Sequence, residues 1–202
     1  MKELKVKLTF TEEVLGTAPN NKELHDDYIA SKAPDAMSRE EEIAAIGVGD
    51  MVEKGMTVFP RTEDGTPFIW DYQIKGFFKD ACGMLRKATG SKSAKLKAYK
   101  KEIDGLVFIR ERRIPFRNKG QIGECQRPLR AATPQGDRVA LAHSETVQAD
   151  SCIEFTVVCL KDDLMELVRE WLDYGTLRGI GQWRNSGKGR FAWEEITNGS
   201  GN

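Results

Sequence analysis

In the stretch Lys5-Val6-Lys7-Leu8-Thr9-Phe10 polar and apolar residues alternate, which puts Val6, Leu8 and Phe10 on one face of a strand and Lys5, Lys7 and Thr9 on the other. Turn residues from Gly16 to Asn21 end it. Ser38-Arg39-Glu40-Glu41 has the form of a capping box and predicts a short helix to Ile46, and Met56-Thr57-Val58-Phe59-Pro60 predicts a second short strand. Beyond the turn from Arg61 to Pro67 the period changes. Ile74, Phe77, Phe78, Ala81 and Leu85 recur at helical spacing, with Asp71 placed to cap the helix and Lys75, Lys79 and Arg86 falling mainly off the apolar stripe.

The lysine-rich residues 88–102 predict a mobile basic loop or a frayed helix. Leu106 to Ile109 starts a strand expected to run on through Arg110-Glu111-Arg112-Arg113-Ile114-Pro115. Between Pro115 and Val139 lies a long insertion rich in turn residues, expected to fold back on the adjacent strand as a hairpin arm; insertions of that length in compact domains are usually functional or disordered. Val139 to Val147 and Cys152 to Leu160 read as strands, the second apolar enough to be central. Asp163 and Glu166 form another capping box ahead of Leu164, Leu167, Val168, Trp171 and Leu172, and Gly175 is expected to end that helix. A glycine-rich loop, a closing strand from Arg190 to Ile196 and a disordered tail over 197–202 follow.

Composition narrows the class. The chain has 202 residues, 40% hydrophobic and 31% charged, enough to bury a core in one large domain or two small ones. No run is apolar enough for a secretion signal or a membrane span, so a cytoplasmic location is expected. Cys82, Cys125, Cys152 and Cys159 show no metal-ligand spacing, and His25 and His143 are the only histidines; neither a metal nor a cofactor is expected. The formal net charge of zero hides an asymmetry. Residues 75–138 hold 17 basic and 6 acidic side chains, a net of +11, between flanks of −7 and −4. Such a segment suits a polyanion.

The chemistry concentrates near the C-terminus. Gly179, Gly181, Gly187 and Gly189 leave backbone amides unshielded among the cations Arg178, Arg184, Lys188 and Arg190, a composition suited to gripping phosphates. Trp183 and Phe191 add faces on which a base could stack. The run lacks the Gly-Lys-Ser/Thr ending of a P-loop and follows a helix rather than a strand, which excludes both nucleotide-binding fingerprints.

Two features resemble one family. Pro67-Phe68-Ile69, then Ile74-Lys75-Gly76 and Leu85-Arg86, resemble the segment opening the first helix of the RAMP superfamily, the repeat-associated RNA-binding proteins of CRISPR systems. Gly179-Ile180-Gly181 to Gly187-Lys188-Gly189-Arg190 resembles that superfamily's glycine-rich loop. The order of elements is similar too, closest to the backbone-subunit branch, and the chain's length points to a standalone or virus-encoded relative. The resemblance implies an α+β fold with a ferredoxin-like (RNA-recognition-motif) core, one domain over 1–196 carrying insertions at about 16–66 and 115–138. Where the family has Gly-Ser-Ser or similar before Ile-Lys-Gly, this chain has Asp71-Tyr72-Gln73, which removes a small-residue phosphate contact.

The expected function is therefore binding of single-stranded RNA or DNA, RNA foremost. Lys75, Lys79, Arg86, Arg110, Arg112, Arg113, Arg117, Arg127 and Arg130 would track phosphates; Gly179, Gly181, Trp183, Arg184, Gly187, Lys188, Gly189 and Arg190 would clamp them. Expected protein partners are further copies of the chain or CRISPR effector subunits. Two alternatives stay open: a protein-interaction module mimicking a backbone subunit, in an anti-defence role, and a metal-independent endoribonuclease using His25. Asp26 and Asp27 are weaker catalytic candidates, implied by loop aspartates of some backbone subunits.

Overall fold

In the computed structural model, which describes residues 1–19, 56–117, 122–133 and 136–197, the alternating N-terminal stretch forms strand β1 (Lys2–Phe10) with Leu4, Val6, Leu8 and Phe10 buried. There follow β2 (Val14–Leu15), β3 (Ala18–Pro19), β4 (Thr57–Val58), β5 (Phe68–Trp70), helix α1 (Asp71–Leu85), a 3-10 turn at Lys92–Lys95, α2 (Tyr99–Leu106), β6 (Val107–Ile109) and β7 (Arg113–Pro115). The chain continues through β8 (Ile122–Thr133), β9 (Gly136–Val147), β10 (Cys152–Cys159), α3 (Asp163–Arg178) and β11 (Phe191–Glu195). It divides into two compact units. One is Met1–Val14, Pro60–Gln121 and Val147–Asn202; the other is Leu15–Phe59 and Ile122–Thr146, chiefly the stretches expected as insertions.

The first unit is built on a four-stranded sheet in the order β11-β1-β10-β6, with a separate ribbon of β5 and β7. Strand, helix, two strands, helix and strand follow one another as β1, α1, β6, β10, α3 and β11, an α+β arrangement consistent with a ferredoxin-like core. β10 is an inner strand, as its apolar character requires. Its antiparallel register with β1 sets Leu4 opposite Val157, Val6 opposite Phe155 and Leu8 opposite Ile153, so one sheet face is continuously apolar. Phe77 and Phe78 of α1, Trp171 of α3 and Phe191 of β11 fill the core: Phe78 lies 5.4 Å from Trp171 and Phe77 5.7 Å from Phe191, centroid to centroid. Each such ring contributes about 1.5–3 kcal/mol through burial.

Several local expectations are corrected. Helix α1 starts at Asp71 itself: the Trp70 N–H donates to Gln73 Oε1 at 2.7 Å, and the Asp71 carboxylate accepts from the Tyr72 N–H at 2.8 Å. Asp163 is not a cap, and Glu166 turns outward to Lys92 at 3.0 Å. Gly175 does not end α3, which runs three residues further to Arg178. It is a packing residue instead, since a Cβ there would stand 2.2 Å from Phe191 Cζ and 2.6 Å from Phe77 Cζ. The strand expected from Leu106 to Pro115 breaks into β6 and β7, which belong to different sheets. Glu111 lies in the gap, accepting from the Thr156 N–H at 2.7 Å and the Thr156 hydroxyl at 2.9 Å. Ser38 to Ile46 and the tail from residue 198 lie outside the described residues.

In the second unit β2, β9, β4 and β3 are neighbours in that order, and β8 pairs with β9 as a hairpin, the arm expected from the long insertion. Glu145, 6% exposed, accepts from the Phe59 N–H at 2.8 Å, and the Thr57 hydroxyl donates to Ser144 Oγ at 2.8 Å.

Gly175→Ala is expected to lower stability by about 1–3 kcal/mol through overpacking. Gly76→Ala, in α1 with nothing within 4 Å of the added methyl, is expected to raise it by about 0.5–1 kcal/mol. Urea midpoints moving in opposite directions test the pair.

Candidate nucleic-acid interface

The glycine-rich loop is shaped by contact with itself. The Ile180 N–H donates to the Gly189 carbonyl at 2.9 Å, drawing the two ends of the loop together. Gly179 (φ +76°) and Gly189 (φ +72°) sit at that crossing, where added Cβ atoms would come within 2.5 Å of the Lys188 oxygen and 1.9 Å of the Ile180 oxygen. These glycines serve close approach of backbone to backbone. Gly181 and Gly187 also have positive φ, and Gly187 and Gly189 are buried. Trp183, left-handed at φ +54°, is 39% exposed, whereas Phe191 is 1% exposed and packs in the core, so it offers no face to a base.

The loop does meet α1, and it does so through ion pairs. Arg184 reaches Asp80 at 2.6 Å and Arg178 reaches the same carboxylate oxygen at 3.5 Å, while Arg178 also donates to Asn185 Oδ1 at 2.7 Å. Lys188 pairs with Glu13. Arg190 is exposed and forms no ion pair among the described residues.

Helix α1 shows the same division. Lys79 pairs with Asp104 at 2.6 Å, and Lys75 donates to the Asp104 carbonyl at 3.0 Å and lies 4.9 Å from the Phe108 ring centroid. Burial lowers the pKa of the Lys75 ammonium, with Asp104 opposing the shift. Arg86 is exposed, lies 5.1 Å from the Tyr99 ring centroid and forms no ion pair among the described residues. Of the strand arginines, Arg110 pairs with Glu3, Arg112 with Asp71, and Arg117 with Glu154 at 3.2 Å. The hydrogen bond and charge of Asp71 raise the Arg112 guanidinium pKa further. Arg113 lies over Phe68 and Trp70, 5.8 Å from each centroid. Arg127, 8% exposed, and Arg130 belong to β8 in the second unit. His25, Asp26 and Asp27 lie outside the described residues. His143 stands on β9 with Nε2 2.9 Å from Glu124.

The positive surface that remains lies where a mobile basic loop or a frayed helix was expected. Residues 81–101 contain seven cations, Arg86, Lys87, Lys92, Lys95, Lys97, Lys100 and Lys101, all exposed, and no carboxylate. Only Lys92 is in an ion pair, with Glu166; the others form none among the described residues. The segment is fixed from below. Glu170 of α3 accepts from the Lys92 N–H at 2.6 Å, from the Ser93 N–H at 2.9 Å and from the Ser93 hydroxyl, whose oxygen accepts from Trp171 Nε1 at 2.9 Å. Ser91 caps the 3-10 turn through the Ala94 N–H at 3.2 Å and donates to the Leu85 carbonyl at 2.7 Å. The sequence showed the lysines but not the anchor: Glu170 lies 77 residues from Ser93, so no local pattern connects them.

On the sheet face opposite the helices the two inner strands carry no aromatic of the RNA-recognition-motif kind, in which strand aromatics hold bases; among the described residues that face has a single ring, Phe108 of the edge strand β6, which stands opposite Val158 and is 41% exposed. By strand alternation that face carries Glu3, Lys5, Lys7 and Thr9 of β1 and Cys152, Glu154, Thr156 and Val158 of β10. Lys7 is paired there with Glu194 at 2.8 Å.

No family model matches the sequence, and neither does any curated protein. Among solved structures, a chain in the cryo-EM structure of the Type III-B Cmr-beta bound to cognate target RNA is similar in fold, with a TM-score of 0.53 at 14% identity over 97% of this chain and 61% of that one. The present chain thus spans about 61% of that relative's length. A chain of a Type IV-B CRISPR complex matches with a TM-score of 0.48 at 8% identity, over 100% of this chain and 93% of that one. Among the described residues no helix is long and apolar enough to cross a membrane.

Arg184→Ala is expected to lower unfolding free energy by about 1 kcal/mol at low salt, since it removes a half-buried pair that closes the loop onto α1. The loss should shrink at roughly 1 M salt, where charges are screened within ~3 Å. Urea unfolding at both salt concentrations measures it.

Proposed function

We propose that this chain is a single-stranded RNA-binding protein of the RAMP type, serving in a CRISPR-related ribonucleoprotein. The observation that carries the reading is the anchored lysine surface at residues 86–101: six exposed cations without carboxylate partners, held on α3 by Glu170 and Trp171. Cations already paired with carboxylates gain little from a phosphate, because one ion pair is exchanged for another. Unpaired ones release the strand's condensed counterions at full effect. The fold likeness to a chain from an RNA-bound Cmr-beta structure supports the RAMP assignment.

The glycine-rich loop contributes through Arg190 and the exposed Trp183. Arg184 and Lys188 contribute only by exchanging Asp80 and Glu13 for phosphates, and Arg112 and Arg117 only by exchanging Asp71 and Glu154. Arg86 and Arg113 are available without such an exchange. On the same reading the protein partners are other copies of the chain or subunits of a CRISPR effector.

Affinity for a labelled oligouridylate should fall steeply with salt. Replacing Lys97, Lys100 and Lys101 together by alanine should weaken it and flatten the log–log salt slope by about 2, at ~0.7 per lost contact with a single strand. Lys161→Ala, which removes a cation paired with Glu102 at 3.1 Å, should leave the slope unchanged. Fluorescence anisotropy across a salt series decides the matter; an unaltered slope in the triple variant refutes the assignment.

A further inference from the structure

A strand held only by phosphates leaves its bases unaccounted for; on the open sheet face β1 and β10 supply no aromatic side chain, and Phe108 of the edge strand β6 is a single ring with the Lys75 ammonium 4.9 Å from its centroid. The described residues offer such rings in another place. Phe68, Trp70 and Tyr72 lie along β5 and into the first turn of α1, with Arg112 and Arg113 beside them on and next to β7. The antiparallel register sets Trp70 opposite Arg113.

The rings and guanidiniums form an ordered stack. Trp70 and Tyr72 lie nearly parallel, at an interplanar angle of 16° with centroids 6.1 Å apart, and Phe68 meets Trp70 edge-on at 4.8 Å. The Arg112 guanidinium lies 5.3 Å from the Trp70 centroid and 5.8 Å from that of Tyr72, held there by its ion pair with Asp71. Arg113 lies 5.8 Å from Trp70 on the ribbon.

Folding alone does not explain the outer member of the stack. Tyr72 is 55% exposed, and its hydroxyl makes no hydrogen bond among the described residues, so the ring contributes little burial and no polar anchor. An exposed ring pre-aligned with a second ring, beside two guanidiniums, suits a planar π ligand attached to an anionic chain. A nucleobase in a single strand has both properties; an apolar protein segment has neither and would have to desolvate Arg112 and Arg113.

We propose that Tyr72, backed by Trp70 and flanked by Arg112 and Arg113, is a base-stacking site for single-stranded nucleic acid. The proposal rests on the reading of the chain as an RNA-binding protein and adds a site for bases to the phosphate surface. The lysine surface begins at Arg86, directly after the C-terminal end of α1, while the stack stands at its N-terminal end. That helix of 15 residues is about 22 Å long. The two sites thus stand about one helix length apart, a separation that one strand can span.

The test compares an oligouridylate with an abasic strand of the same length, using the full chain at one fixed low salt concentration. The wild type should bind the base-bearing strand more tightly. Tyr72→Ala should weaken that strand's binding by about 5-fold to 100-fold, the loss of one base–aromatic stack, and leave abasic binding unchanged. Tyr72→Phe should retain wild-type discrimination, and thermal melting should be equal in all three proteins, since Tyr72 lies outside the core. If the wild type binds both strands equally, or Tyr72→Ala weakens both to the same degree, the stacking site is refuted while the phosphate-binding reading stands. If the wild type binds neither strand, both readings fall.

Discussion

The first unit depends on one interlock, the packing of α1 against α3 around the bare backbone of Gly175. Phe77 and Phe191 occupy the space a side chain at 175 would take, and Phe78 packs on Trp171 beside them. Because that contact fixes the helices on the sheet, it also fixes what their outer residues can reach. Asp80, on α1, is brought to Arg178 at the end of α3 and to Arg184 of the glycine-rich loop. Glu170, next to Trp171 on α3, is brought under Lys92 and Ser93. Core packing thus decides which cations are neutralised and which are displayed.

That partition separates two kinds of basic residue that look alike in a sequence. Arg184, Lys188, Lys79 and Arg117 each have a carboxylate partner within the unit, whereas Lys95, Lys97, Lys100 and Lys101 have none among the described residues. A partly exposed ion pair contributes at most about 1 kcal/mol to folding. It nevertheless removes most of the cation's value to an incoming phosphate, because binding must first break the pair. How well a surface suits a polyanion is therefore set less by where the basic residues are than by where the acidic ones are not. Residues 81–101 meet that condition by containing no Asp or Glu at all.

Much of the first unit was legible from periodicity. Val6, Leu8 and Phe10 alternate because β1 has one buried face, and the apolar run in β10 reflects its inner position; both patterns are local, and both hold in the structure. The stripe on α1 and the burial of Trp171 were legible for the same reason. Non-local constraints were not. Gly175 read as a helix end because glycine commonly ends helices, yet here it makes room for two ring carbons, one of them on a residue 98 positions earlier and neither visible in the local pattern. Gly179 and Gly189 read as an open anion nest because a glycine serving backbone–backbone approach has the same sequence signature as one serving backbone–ligand approach. The lysines of 88–102 read as a mobile basic loop or a frayed helix, and their contact with Glu170 was not legible because that residue is supplied by a helix far along the chain.

The same reasoning bears on the substitution of Asp71-Tyr72-Gln73 for the small residues that the RAMP resemblance leads one to expect. Small residues at a helix start let a phosphate approach the first-turn amides. Here the Gln73 side chain accepts from the Trp70 N–H, and the Asp71 carboxylate accepts from the Tyr72 N–H, so two of those donors are already satisfied within the chain. Asp71 also places a negative charge where an anion would otherwise bind. An interaction with single-stranded RNA at this end of α1 must therefore use something other than the helix amides. The groups left facing outward are the Tyr72 ring and the guanidiniums of Arg112 and Arg113, which favour the base over the phosphate as the point of contact.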